Sequence, residues 1–336
     1  MTGCSCASTL AERGARVRLY EAREIAGGAS GRNGGFALRG GALPYDEARR
    51  RMGAENARAL WQLTERTLDR FEALAGDAFR RVGSLRVAVD AAETERVGAE
   101  LEALREDGFD ADWASPPAGF AAAVLNPPDG SIQPARWVRG LAARAAEAGA
   151  EIVEGAPIDA GELAELPTTA VVLATDGLTA VLAPELDGQV WPVRGQVLVT
   201  APLATRLFDR PHYARDGFDY WQQLADGRLL VGGRRDVGGV SEDTAVEQTT
   251  QPIQLELEAL AAQLAGAPVE ITHRWSGIWG ETADRLPFVG RLRDGVWVAA
   301  GYSGHGNVLG LACGELVARA VLGEPPPELD LFAPRE

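Results

Sequence analysis

The chain has 336 residues, 46% of them hydrophobic and 24% charged, and a formal net charge of −15. That is ordinary globular composition, enough for one large domain or two, and its field opposes binding to nucleic acid or to an anionic membrane. Every positively charged side chain is an arginine, since no lysine occurs anywhere, which excludes a lysine Schiff base and a Walker-type phosphate loop.

In chain order, Met1 to Arg13 reads as a helix, with Cys4, Ala7, Leu10 and Ala11 sharing a face and Gly14 as its stop. Arg16 to Glu21 alternates as a short strand and ends on an acid before the glycine-rich run Gly27 to Gly35. Tyr45 to Ala75 is helical, Ser84 to Val89 a strand and Ala91 to Glu106 a helix. Trp113 to Asp129, with Pro116, Pro117, Pro127 and Pro128, reads as punctuation and a boundary rather than an element. Trp137 to Ala148 is an amphipathic helix, Glu151 to Val153 a strand, and Ala170 to Ala174 a buried parallel strand. Hairpins fill Val193 to Val237: Gln196 to Thr200 is one strand, and Phe218 to Leu224 joins Leu229 to Gly232 through Asp226-Gly227. A helix from about Gln254 to Leu264, a strand Trp297 to Ala300, the turn Gly301 to Gly306 and a helix Asn307 to Val321 follow, and Pro325 to Pro327 end the fold.

Three cysteines, Cys4, Cys6 and Cys313, make no disulfide framework and point to a reducing cytoplasm. His212, His273 and His305 lie far apart, so no metal site is expected. No stretch approaches the length of a membrane helix, and the N-terminus lacks a signal pattern.

A helix, a strand and an acid before a glycine loop form the second half of a dinucleotide-binding unit, in which a helix N-terminus faces the pyrophosphate and the acid holds a ribose. If Gly3 is the third glycine of the fingerprint, Glu21 follows at close to the expected spacing of about 20 residues. The first strand and first two glycines precede that point. Met1 is therefore expected to be an internal start, with FAD binding weak without the missing strand. Read alone, a solvated Glu21 on a surface unit competes with this interpretation.

Longer motifs extend it. Thr2-Gly3-Cys4-Ser5, Leu19-Tyr20-Glu21 and Gly28 to Gly35 resemble the start of FAD-dependent oxidoreductases of the D-amino-acid oxidase (DAO) superfamily, which includes glycine, sarcosine and γ-glutamylputrescine oxidases. Pro192 to Gln196, Gly232 to Asp236, Trp275-Ser276-Gly277, Thr282 to Gly290 and Gly301 to Gly306 are similar to that family in the same order. The resemblance implies an α/β fold in which a discontinuous, Rossmann-like FAD-binding domain (1–44, 129–185 and 272–336) is interleaved with a β-rich substrate domain (45–128 and 186–271). It implies cofactor contacts from Gly3, Glu21, Ala29, Ser30, Arg32, Asn33, Gly34, Gly35, Ile158, Ala174, Thr175, Gly277, Gly301, Gly304, His305 and Gly306. His305 is read as a flavin contact ahead of a base. Tyr213, Tyr220 and Trp221 lie on the hairpin that faces substrate in the family, with core packing as the even alternative. Tyr220, Trp279 and His305 are the candidates for the reacting centre. Arg234, Arg235 and Asp236 read first as an ion pair closing a strand, and second as substrate-orienting groups.

The expected reaction is oxidation of a C–N bond of an amine or amino acid by hydride transfer to flavin, with oxygen or another electron acceptor. Gly277 stands where some relatives carry a flavin-tethering cysteine, so the FAD is expected to be non-covalent. Trp279 stands where glycine oxidase-like members place a carboxylate-binding arginine. That favours a substrate without an α-carboxylate, unless Arg234, Arg235 or Arg285 takes over the clamp. The span between Ile158 and Ala170 is short for the family, as if a hairpin were trimmed.

Overall fold

The computed structural model describes residues 1–333. Helix α1 (Thr2–Glu12) and strand β1 (Arg18–Tyr20) open the chain as the spacing predicts. The glycine-rich run holds one helical turn, α2 (Ala29–Arg32), before the short β2 (Phe36–Ala37). The helical stretch after it is two helices, α3 (Tyr45–Met52) and α4 (Ala54–Ala75), because Gly53 adopts a φ of 85° that only glycine takes without strain. Next come β3 (Phe79–Arg80), β4 (Ser84–Ala88) and α5 (Ala91–Glu106), whose first turn is capped by the Asp90 side chain.

The proline-punctuated segment is not a bare connection. It contains β5 (Asp112–Ala114) and β6 (Ala122–Asn126), with β7 (Gly130–Ile132) just beyond. Alanine-rich β6 has little strand preference of its own; its register with β4, from Ser84 opposite Asn126 to Ala88 opposite Ala122, makes it a strand. Then follow α6 (Pro134–Glu147), β8 (Glu151–Val153), α7 (Ala160–Glu165), β9 (Val171–Leu173) and α8 (Thr179–Leu182). The hairpin region is β10 (Trp191–Pro202), β11 (His212–Ala214), β12 (Asp219–Gln223) and β13 (Arg228–Gly233), closed by α9 (Arg235–Gly238) and α10 (Gln251–Ala265). Finally come β14 (Ile271–Glu281), β15 (Phe288–Arg293), β16 (Val296–Ala300) and α11 (Gly306–Val321). The fold does not end at the three prolines. A 3-10 turn over Pro327–Phe332 returns Phe332, fully buried, to the core that α4, β15 and α11 share.

The largest sheet has eight strands in the order β14-β10-β13-β12-β11-β4-β6-β5. Helix α10 covers it through Ile253, Leu257 and Leu260, which pack with Leu198, Trp221 and Leu229. Strand β14 pairs with β10 from Trp191 opposite Glu281 to Thr200 opposite Ile271, so it belongs to this layer, although residues from 272 onward were expected with the nucleotide segments. Two smaller sheets are built on parallel pairs, β1 with β8 and β9 with β16, and β15 adds to the latter. Helices α1 and α11 pack on each other, and Ser5 Oγ donates to the Leu311 carbonyl at 2.7 Å. Among the described residues no strand joins the two parallel sheets, and both line one cavity through Leu19 and Leu173. The sheet β2-β7-β3 ties the end of the glycine-rich run to the middle of the chain.

Candidate cofactor and substrate site

That cavity has a volume of about 2180 Å³, against roughly 300–1,000 Å³ for an ordinary small-molecule pocket. At one end it is lined by the first turn of α1 with Gly3, by Glu21 at the end of β1, and by Ile158, Ala174 and Thr175. Along its middle run Ala29, Ser30, Arg32, Asn33 and Gly34. Gly277, Trp279 and Tyr220 from the large sheet line it as well, as do Gly304, His305 and Gly306. Gly35 and Gly301 stand behind the wall. A Cβ on Gly35 would lie 2.4 Å from the Ile132 carbonyl oxygen, at a φ of 75°, so that glycine serves the chain path.

The end at α1 and β1 is built largely from backbone. The first N–H groups of a helix have no intrahelical acceptor, so α1 offers donors to an anion. Glu21 is half-buried and accepts one hydrogen bond, from the Arg23 N–H at 3.0 Å, which leaves carboxylate capacity free. Ser30 Oγ accepts from the N-terminal ammonium at 2.9 Å. Arg32 is less available: its guanidinium pairs with Glu247 at 3.0 Å, and Arg23 shares the same carboxylate. Asn33 is committed to the protein. Its amide and that of Asn307 bond each other reciprocally at 3.0 Å, and its Oδ1 accepts the Gly35 N–H at 2.9 Å. Asn307 was not singled out from sequence; it ties the glycine run to the start of α11, a link invisible without the fold.

Asp176 was missed as well. Half-buried, three residues beyond β9, it accepts the N–H groups of Gly280 and Gly301, each at 2.9 Å, and of Tyr302 at 3.4 Å. One carboxylate therefore holds the end of β14 and the turn before α11 in fixed relation. Burial pushes its carboxyl up, and the three backbone donors partly offset that. On that turn, Nδ1 of His305 lies 3.4 Å from the Ser303 carbonyl oxygen. Desolvation brings the imidazole down to about 4, so it is neutral at neutral pH. A Cβ on Gly304 would meet nothing within 4 Å, which leaves open space against the turn.

On the facing wall, Tyr220 packs its ring over Gly34 and Gly232 and edge-on to Phe36, and burial pushes its hydroxyl up, so it stays protonated. Gln222 donates to the Gly34 carbonyl, and Trp275 Nε1 donates to the Arg32 carbonyl at 2.7 Å; the large sheet thus grips the glycine run twice. Of the three hairpin aromatics, Tyr213 and Tyr220 line the cavity, while Trp221 is core, stacked on His212 and Phe120. Trp279 rests against Gly195, and its indole Nε1 donates to Glu281 at 2.9 Å. Arg285 lies 3.5 Å from the same carboxylate. Glu281 carried no local signal in the sequence.

With this geometry in hand, the comparisons decide the family. The model of the DAO family, described as FAD dependent oxidoreductase, matches residues 1–320. The chain belongs to that family. It is 30% identical to the gamma-glutamylputrescine oxidoreductase of Escherichia coli, over 99% of this chain and 84% of the relative. Among solved structures it is similar to glycine oxidase from Bacillus cereus, with a TM-score of 0.79, 19% identity and coverage of 99% and 96% of the two chains. L-proline dehydrogenase from P. horikoshii also has a TM-score of 0.79, at 20% identity and coverage of 99% and 94%. The residues present fit FAD: donors at the α1 terminus for a pyrophosphate, Glu21 for a ribose, and open space beside Gly304.

Proposed function

We propose that the protein oxidises the C–N bond of an amine or amino acid with non-covalently held FAD, and that the imine formed is hydrolysed in water. The observation that carries this reading is the continuity of the cavity, which joins the nucleotide-binding elements to the wall bearing Tyr220 and Trp279. When bound, FAD supplies the two-electron acceptor; the chain's own residues bind, orient and exclude water. Gly3 and the α1 terminus would hold the pyrophosphate and Glu21 the ribose. The backbone around Gly34 and Gly304 would shape the flavin end, with Asp176 and Asn307 holding those segments in place.

Neutral His305 is too weak a base to take a proton from an ammonium group, so this reading requires that the free-base fraction of the amine be the reacting form. All three cysteines are buried on α1 or α11 and their thiols are pushed up, which supports non-covalent FAD and a protein at home in a reducing cytoplasm. Among the described residues no helix is long and apolar enough to cross a membrane. The acceptor is oxygen or a second redox partner. Oxygen uptake, with an artificial acceptor as control, assigns it.

Anaerobic titration of the FAD-loaded protein with primary amines, secondary amines and amino acids tests the reading. Bleaching of the flavin absorbance by members of these classes is expected. Flavin left oxidised by all of them, but reduced by hydroxy acids, would overturn it.

A further inference from the structure

We propose that Arg235 is the anion-binding residue of the substrate cavity, and that the substrate is accordingly an amine bearing a carboxylate. The inference rests on the amine-oxidation reading above and narrows it. Trp279, in place of an arginine, pointed toward a substrate with no carboxylate near its reacting end; the structure shows instead that the indole is a platform for an arginine arriving from the start of α9. The Arg235 guanidinium carbon lies 5.8 Å from the Trp279 ring centroid and 5.2 Å from that of Phe218, and all three residues line the cavity. Stacking holds the plane of a guanidinium while leaving its in-plane N–H fork free, the geometry that takes a carboxylate in two parallel hydrogen bonds.

The neighbouring charges single Arg235 out. Arg234, at a left-handed φ of 55°, turns away to Asp219 at 2.9 Å and does not line the cavity. Asp236 is taken by Arg215. Arg285 lines the cavity, but Glu281 at 3.5 Å already answers its charge. Glu242, the carboxylate that feels the Arg235 charge, is bonded to Arg194 and Gln196. Among the described residues no carboxylate pairs with Arg235. Of the other lining arginines, Arg16 also lacks a carboxylate partner, but it is exposed and precedes β1, away from this wall. A half-buried cation between two aromatic rings on a substrate wall is what an anionic substrate group would neutralise.

The test uses FAD-loaded protein and matched pairs: ethylamine with alanine for an α-carboxylate, and butylamine with 4-aminobutyrate for a distal one. Anaerobic flavin reduction should favour the carboxylated member of one pair, and Arg235→Met should lower that preference by about ten- to a hundredfold, mainly through KM. Arg235→Lys, which keeps the charge but loses the fork, should fall between. In parallel, calorimetric titration with butyrate against butyramide reads the anion site without turnover; butyrate should bind the natural protein more tightly than Arg235→Met. Equal reduction by both members of each pair, or a preference that survives in Arg235→Met, overturns the proposal. If no amine of any kind reduces the flavin while butyrate still discriminates between the two proteins, the anion site stands and the amine-oxidation reading fails.

Discussion

The two halves of the molecule hold themselves together by different means. Around the α1 end, two small parallel sheets face one cavity without a strand between them, α1 packs on α11, and single side chains grip backbone beside the cavity: Asp176 on Gly280 and Gly301, Asn307 on Phe36. The β-rich half is one continuous sheet fastened by buried charge. There Arg194 meets Glu242 through two hydrogen bonds, at 2.8 and 2.5 Å, with both side chains at most 7% exposed, and buried Arg86 donates one hydrogen bond to Glu100. One half leaves backbone groups free for a ligand; the other pairs its buried carboxylates with arginines of its own. Changes in the first should therefore read out as cofactor affinity, and changes in the second as stability.

The sharpest way to break that contrast is Glu242→Ala. Burial pulls the Glu242 carboxyl up, yet its bonds to Arg194 and Gln196 outweigh this and hold it below its ordinary value. Removing it strands Arg194 in the interior, and a loss of about 3–5 kcal/mol is expected in urea unfolding. FAD affinity per folded molecule should move far less. Next in size, Glu21→Ala should weaken FAD binding by about ten- to a hundredfold, the worth of charge-assisted bonds to a ribose, with little change in the unfolding midpoint of the apoprotein. If Glu21→Ala instead lowers stability and leaves FAD affinity alone, the solvated reading of that residue wins.

A comparable effect concerns acid. His212 is 3% exposed between Trp221 and Phe208, and desolvation brings its imidazole down to about 4. The unfolded chain protonates it near pH 6.5, so from there down to about 4 the unfolded state binds more protons and stability falls as pH falls. Between pH 7 and pH 5 this group should cost about 2 kcal/mol in unfolding free energy. His212→Gln should flatten that part of the pH profile, and an unchanged slope would show that the imidazole is not held neutral.

How legible each half was in sequence follows the same division. Gly3, Glu21 and the run from Gly28 to Gly35 lie on local chain geometry, so spacing raised them as candidates and the family resemblance set them above a solvated Glu21. Helices α5 and α6 were equally plain, because their apolar periodicity is local. Strand β6 was hidden, since alanines become a strand only against β4, and Phe332 was hidden because its burial depends on α11 arriving beside it. Asp176 and Asn307 are single polar residues whose partners lie 100 or more positions away, and no local pattern marks them. Trp279 is the instructive case. Its position was read as a departure from arginine, and the guanidinium that stacks on it comes from α9.

The most direct test of the whole account is equilibrium dialysis of the purified protein against FAD, with flavin fluorescence read on the bound fraction. One FAD per chain is expected, its fluorescence quenched by the Tyr220 and Trp279 wall at the flavin end of the cavity. No retained FAD, or FAD retained with undiminished fluorescence, would contradict the claim that a single cavity seats the cofactor against the substrate wall.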